Sequence, residues 1–189
     1  MFTVREIFEA SYEVKRSQFI AFLTPTEKFK TVHERLKKEH PKANHIVWAK
    51  RYLNEFEQIV ENFSDDGEPK GTSGMPVLNV LRGEKLINSS FLIVRYFGGI
   101  KLGTGGIARA YSSAAKEVLG KSSLIPYQKI LLFEFEIPYT MIQHLEYYLK
   151  KEMIDFGNRI FLNDKIKWEL SVTKSQKEKL EKFLEKNRH

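Results

Sequence analysis

Residues 91–120 read FLIVRYFGGIKLGTGGIARAYSSAAKEVLG, and this stretch decides the fold of the first part of the chain. It begins with a continuous apolar run of β-forming residues, 91–94, which is typical of a strand buried on both faces. A glycine-rich loop, 98–106, follows the run. Apolar residues then recur at helical spacing up to Gly120, which predicts a helix that ends there. The predicted order is strand, glycine loop, helix.

The turn from this strand into the helix is a candidate anion site. N–H groups in the first turn of a helix attract anions, and glycine lets a phosphate approach the backbone. The pattern is neither a Walker loop nor a dinucleotide fingerprint. Tight packing of helix on sheet would explain the same glycines, so both interpretations stay open. The candidate ligand-binding residues here are Arg95, Tyr96, Gly98, Gly99, Lys101, Gly103, Thr104, Gly105, Gly106 and Arg109.

A second candidate lies upstream, in residues 63–76, which read FSDDGEPKGTSGMP. Asp65, Asp66 and Glu68 place three carboxylates within four residues, and hard cations bind several oxygens on a bent backbone. The spacing does not match a calcium loop. A turn in which Asp side chains accept hydrogen bonds from nearby amides is the favoured interpretation. Together with Gly71 and Thr72, the three carboxylates complete the candidate ligand-binding set, with no metal or cofactor specified.

The segments around these loops predict a mixed fold. A helix ending at Glu39 is predicted to begin with Thr24 as its cap and Glu27 completing a capping box. Residues 63–75 are predicted to be a loop, and residues 76–81 to begin a helix or a strand. His45 could serve as an acid, a base or a ligand, although a packed, hydrogen-bonded histidine is favoured. Strands are predicted at residues 11–14, 18–23 and 46–52.

The pattern changes after a linker at residues 122–128. The elements beyond it are a strand at 130–137, a helix from Pro138, a hairpin of 154–162 and 166–172, and a helix at 174–186. This β-α-β-β-α order is that of a ferredoxin-like half sandwich without its last strand, which would follow Arg188. Nine of the eleven glycines lie between Gly67 and Gly106, in the first part. The predicted domains are 1–125 and 126–189.

Composition excludes several classes of function. The chain has no cysteine, so disulfides, thiolate nucleophiles and cysteine-based zinc sites are ruled out. Its formal net charge of +7 favours polyanionic partners. The charged N-terminus lacks the apolar core of a signal peptide, and no run approaches the roughly 18 apolar residues of a membrane helix. A cytoplasmic protein without a membrane partner is expected.

The two loop motifs together resemble the IMPACT/YigZ family. FSDDGEPKGTSGMP at 63–76 is followed by VRYFGGIKLGTGGIARAYSSA at 94–114. Upstream, KRSQFIA at 15–21 and HPKANHIVWA at 40–49 agree with the same family. Many members have His-x-Cys where this chain has His45-Ile46-Val47. A role that depends on that cysteine is therefore not expected here.

The resemblance implies an α+β protein of two domains. The first would have the α/β sandwich fold shared with a small-subunit ribosomal protein, elongation factor G and GHMP kinases. The second would be ferredoxin-like, as in elongation factor G. Eukaryotic relatives act as translation regulators. The kinship with ribosome-associated domains implies, together with the basic net charge, a non-enzymatic protein that binds RNA or the ribosome, with translation regulation as a candidate role. The alternatives are an enzyme or binder of a nucleotide or phosphorylated small molecule, and an adaptor with a protein partner.

Overall fold

The computed structural model describes residues 1–187 of the 189-residue chain. It is a mixed α+β protein with antiparallel sheets. The chain divides into two compact units between Tyr127 and Gln128, two residues beyond the predicted boundary. The final strand expected after Arg188 lies outside the described residues.

The first unit is built on a five-stranded antiparallel sheet in the order β2-β3-β6-β4-β5. Two short strands, β1 at the beginning of the unit and β7 at its end, pair with each other in a separate sheet. The strands are β1 (Phe2–Thr3), β2 (Phe8–Val14), β3 (Ser17–Pro25), β4 (His45–Leu53), β5 (Ile59–Ser64), β6 (Ser89–Tyr96) and β7 (Ile125–Pro126). The helices are α1 (Phe29–Glu39), α2 (Gly74–Gly83) and α3 (Thr104–Gly120).

The central strand β6 is buried on both faces, as its unbroken apolar run predicts. Phe91 and Ile93 pack with α2 and α3 in the main core. Leu92 and Val94 point to the other face, where they pack with residues of α1. Because successive side chains of a strand alternate between faces, a strand covered on both sides needs apolar residues at every position.

Three predictions about helix starts and loops need correction or completion. The capping box is wrong, because Thr24 is buried within β3 and its hydroxyl donates to the carbonyl oxygen of Pro25. A 3₁₀ turn at Thr26–Lys28 leads instead into α1, which has no side-chain cap. Phe63 and Ser64 are not loop residues, since they end β5 and pair with β4. Residues 76–81, for which the sequence allowed a helix or a strand, lie in the helix α2.

The second unit has the predicted β-α-β-β-α order. Its elements are β8 (Ile130–Pro138), α4 (Ile142–Lys151), β9 (Asn158–Phe161), β10 (Lys165–Thr173) and α5 (Lys174–Lys186). The three strands form an antiparallel sheet in the order β8-β10-β9. Its core gathers around the fully buried Trp168. No helix within residues 1–187 is long and apolar enough to cross a membrane.

Candidate functional site

The acidic loop, residues 65–73, joins β5 to α2, and Asp65 holds its two ends together. One carboxylate oxygen of Asp65 accepts the N–H groups of Ser73 at 3.0 Å and Gly74 at 2.8 Å. The other oxygen accepts the N–H of Gly71 at 2.7 Å. Ser73 itself provides no side-chain cap to α2. Asp65 therefore satisfies the free N–H groups at the start of that helix, as a capping carboxylate does.

Asp66 fastens the same loop to the beginning of β4. Its Oδ2 accepts the N–H of Ile46 at 2.6 Å. Its backbone carbonyl lies 2.7 Å from Nδ1 of His45. Because a carbonyl oxygen can only accept, Nδ1 of His45 carries the proton in this hydrogen bond. His45 is thus a hydrogen-bonded residue that positions the loop, as the favoured interpretation of the sequence predicted.

Glu68, in the middle of the loop, is a buried residue with only 8% of its surface exposed. Its Oε1 accepts hydrogen bonds from Nη1 of Arg95 and, at 2.8 Å, from the hydroxyl of Tyr111 on α3. Nε2 of His45 lies 3.9 Å from the same oxygen. Burial and the neighbouring Glu68 carboxylate raise the pKa of Tyr111, so the phenol stays neutral and donates.

Arg95 is a buried residue on β6 and not part of an exposed anion site. Its exposed fraction is 5%, and its guanidinium lies 5.5 Å from the ring centre of Phe19 and 5.9 Å from that of Phe97. Its Nε is buried and has no hydrogen-bond partner among the described residues. Arg95 and Glu68 form a buried ion pair that joins the acidic loop to the central strand.

The three carboxylates of the acidic loop therefore all accept hydrogen bonds from groups within the protein. They reach α2, β4, β6 and α3, and Thr72 adds a hydrogen bond from its hydroxyl to the carbonyl of Pro69 at 2.6 Å. Within residues 1–187, no group of three or more histidine, aspartate or glutamate side chains is placed to hold a metal ion. The geometry is that of an ordered turn, in which acidic side chains bind amides.

The glycine loop, residues 98–106, starts with a contact that only glycine allows. A Cβ on Gly98 would collide with the backbone carbonyl group of Arg16, in the turn between β2 and β3. The N–H of Gly98 also donates to the hydroxyl of Ser17 at 3.2 Å. For this residue the packing interpretation applies. The contact is made by the backbone of Arg16, a residue outside the predicted set.

The glycine loop is open at two of its other glycines. Gly99 and Gly103 have φ values of +84° and +71°, in the region that favours glycine, and neither has an atom within 4 Å of where a Cβ would stand. Gly103 precedes α3, whose first turn has no side-chain cap and no acidic residue. The N–H groups of that turn, Thr104–Gly106, are thus without a capping side chain or carboxylate.

Two exposed cations lie near this open turn in the sequence. Lys101 lies within the loop, and both Lys101 and Arg109 are exposed. Nη1 of Arg109 lies 3.5 Å from the position that a Cβ of Gly105 would take, beside the first turn of α3. Tyr96 is not part of this group, because its hydroxyl is hydrogen-bonded to His40 at 2.8 Å and it packs with the core on the α1 side. Tyr111 and His45, absent from the predicted set, contact Glu68 instead.

The molecule is thus a mixed α+β protein. Its first unit contains an acidic loop whose carboxylates are hydrogen-bonded within the protein, and an open glycine loop with exposed cations near it. The Impact N-terminal domain matches residues 15–119, more than half of the chain. The chain belongs to the IMPACT family.

Curated relatives agree with this assignment. The chain is 35% identical to an IMPACT family member of Haemophilus influenzae, over 79% of this chain and 74% of that protein. It is 33% identical to the IMPACT family member YvyE of Bacillus subtilis, over 79% and 70%. A crystal structure described as that of a hypothetical protein covers 99% of this chain and 92% of its own, at 26% identity and a TM-score of 0.69. That likeness spans both units.

Proposed function

We propose that this chain is a non-enzymatic binding protein of the translation machinery that contacts RNA or the ribosome through its glycine loop. The observation that carries the proposal is the first turn of α3, which follows Gly103 with neither a side-chain cap nor an acidic residue. A helix start of this kind attracts phosphate, because its N–H groups and the helix dipole both favour negative charge.

The charges around the turn support a phosphate backbone as the ligand. Lys101 and Arg109 are exposed and lie three residues before and five residues after Thr104, the first residue of α3. The net charge of the chain is +7, which favours a polyanion at long range. Contacts of cations with phosphates supply most of the sequence-independent affinity for nucleic acid.

The family supports the translation part of the proposal. The resemblance implies translation regulation, as for eukaryotic members of the IMPACT family, and we assign this chain to the cytoplasm on the same basis. We also propose a specific fold for each of the two domains. The strand order β8-β10-β9, with helices after β8 and β10, supports a ferredoxin-like second domain. For the first domain, the ribosomal-protein and GHMP-kinase likeness rests on the family resemblance alone.

Filter binding to a fragment of ribosomal RNA, at a series of salt concentrations, tests the RNA contact. The slope of log K against log salt should fall by about 0.7 for each phosphate of single-stranded RNA that a variant no longer neutralises. We expect that fall for Lys101→Ala and for Arg109→Ala. Lys38→Ala is the matched control, since it removes an exposed lysine on α1. No retention of RNA at low salt, or equal slopes for all three variants, would sink the proposal.

A nucleotide or phosphorylated small molecule is the second candidate. The open backbone at Gly99 and Gly103 favours it, because a phosphate group can approach there without meeting a side chain. Thermal unfolding against a panel of nucleotides, with and without Mg²⁺, separates the two candidates. A nucleotide at 100 times its dissociation constant should stabilise the fold by about 2.7 kcal/mol. If no nucleotide of the panel changed the midpoint of thermal unfolding, RNA binding would be favoured over nucleotide binding.

A further inference from the structure

The sheet of the first unit is covered unevenly on the side of α1. Over β3 and β6, Val32 and Leu36 of α1 pack against Phe22 and Leu92. Farther along the sheet, the side chains that point to the same side come from β4 and β5. They are Trp48, Lys50 and Tyr52 of β4, opposite Ser64, Asn62 and Val60 of β5. All six are half-buried or exposed, so this half of the face has no complete covering layer.

Lys50 lies among three aromatic rings on this half of the sheet. Its ammonium nitrogen is 5.1 Å from the ring centre of Phe29, 5.7 Å from that of Trp48 and 5.5 Å from that of Tyr52. Distances of this size are those of cation–π contacts. The rings of Phe29 and Trp48 also meet edge to face, with their centres 5.1 Å apart. We call Phe29, Trp48, Lys50 and Tyr52 the aromatic face.

The positive charge of the aromatic face is not neutralised by a carboxylate. Among residues 1–187, Lys50 takes part in none of the ion pairs. The six strand residues of this half of the sheet include no aspartate or glutamate. Arg51 points to the other side of the sheet and pairs there with Glu61 at 2.9 Å. The aromatic face therefore matches a ligand that combines negative charge with flat apolar surfaces.

We propose that the aromatic face binds a single strand of nucleic acid, with a base stacked on its rings and Lys50 turned to a neighbouring phosphate. Proteins that bind single strands combine cations for the backbone with aromatic side chains on which bases stack. Sheets that present aromatic side chains to unpaired bases are a recurrent form of this recognition. A purely apolar partner would instead bury Lys50 without a counter-charge, which is costly. That the strand is RNA rests on the function proposed above, whereas the residues of this face are not those of the glycine loop.

An oligouridine of about eight nucleotides, a length that single-strand sites can hold, tests the proposal on the full chain. The chain has two tryptophans, and Trp168 is fully buried in the second unit, so a stacked base should quench Trp48 alone. We expect tryptophan emission to fall as the oligouridine is added. An abasic oligomer of the same length keeps the phosphates and lacks the bases. It should bind more weakly and leave the emission unchanged.

Two tyrosines provide matched variants. Tyr52→Ala removes one ring of the aromatic face, and we expect about tenfold weaker binding of the oligouridine. Tyr52→Phe keeps the ring and should bind as the unchanged chain does. Tyr147→Ala makes the same truncation at a tyrosine of the second unit that is 70% exposed, and should leave binding unchanged. Lys50→Gln should lower the slope of log K against log salt by about 0.7.

Equal binding of the two oligomers, constant emission of Trp48, or equal effects of Tyr52→Ala and Tyr147→Ala would overturn the proposal. So would quenching of Trp48 by a rise in protein concentration without nucleic acid, which would assign the aromatic face to a second copy of this chain. The glycine loop is tested by the salt slopes of Lys101→Ala and Arg109→Ala. Failure of one proposal is therefore distinguishable from failure of the other.

Discussion

The two loops of the first unit, 65–73 and 98–106, differ in whether their polar groups have partners within the protein. The acidic loop is rich in charge, yet each of its three carboxylates accepts hydrogen bonds from within the protein. The glycine loop contains a single charged residue, Lys101, yet it leads into a helix start without a cap. The difference teaches that the density of charge in a loop does not show where polar groups are left without partners.

The largest expected effect concerns the buried pair beneath the acidic loop. Arg95→Ala leaves Glu68 buried without its cation, and removing one partner of a buried pair costs about 3–5 kcal/mol. Urea unfolding measures the change in the free energy of unfolding. Arg82→Ala is the control, because Arg82 pairs with Glu61 at the surface. That exposed pair is expected to contribute about 1 kcal/mol or less. Similar destabilisation by the two variants would contradict the structural role of Arg95.

A smaller effect is expected when the cap of α2 is removed. Asp65→Ala deprives three backbone N–H groups of their acceptor, and caps of this kind contribute about 1–2 kcal/mol. Asp65→Asn keeps one acceptor oxygen and should destabilise less. The midpoint of thermal unfolding measures both variants. If Asp65→Ala left stability unchanged but weakened binding of a cation, the acidic loop would be a ligand site after all.

Acid should weaken the fold through Glu61, a half-buried carboxylate outside the two loops. Hydrogen bonds from Arg82 and Arg51 hold the pKa of Glu61 below its ordinary value of 4.5. A group with a lowered folded pKa stabilises above its unfolded pKa, and this contribution disappears as pH falls through the folded value. Stability should therefore decline below about pH 4.5. Glu61→Gln should show a shallower decline in unfolding experiments across that range, and an unchanged profile would refute the assignment.

The smallest effect on stability is expected in the glycine loop. Lys101→Ala and Arg109→Ala change exposed side chains, so the free energy of unfolding should stay within about 0.5 kcal/mol. Their effect should be confined to the salt dependence of RNA binding. A large destabilisation by either variant would place that side chain among the structural contacts, as for Arg95. Chemical denaturation alongside filter binding separates the two outcomes.

The sequence predicts the elements that repeat a clear pattern. β6 and α3 are recognisable because their apolar residues are unbroken in one and periodic in the other. β5 was not predicted, since it is an edge strand with polar residues such as Asn62 and only half-buried or exposed positions. Thr24 matched a capping pattern, but the pairing of β3 with β6 continues through Pro25 and keeps it in the strand.

The partners of the site residues are harder to predict than the elements. Asp66 accepts from Ile46, 20 residues away, and Glu68 from Arg95 and Tyr111, 27 and 43 residues away. No local pattern encodes such contacts, because they depend on how strands and helices come together. The cationic glycine loop was recognisable from its residues alone. The burial of Arg95 was not recognisable from the sequence, because arginine is seldom found in the interior of a sheet.

The contact of Gly98 with Arg16 has a practical consequence for work on this protein. A turn between two strands is often chosen for inserting a tag or label, because such turns tolerate extra residues. Here the carbonyl of Arg16 lies against Gly98, so added bulk at residues 15–17 would push on the segment that leads to α3. A reporter inserted there would disturb the surface it was meant to observe. Residues 54–58, the exposed turn between β4 and β5, are the better place for it.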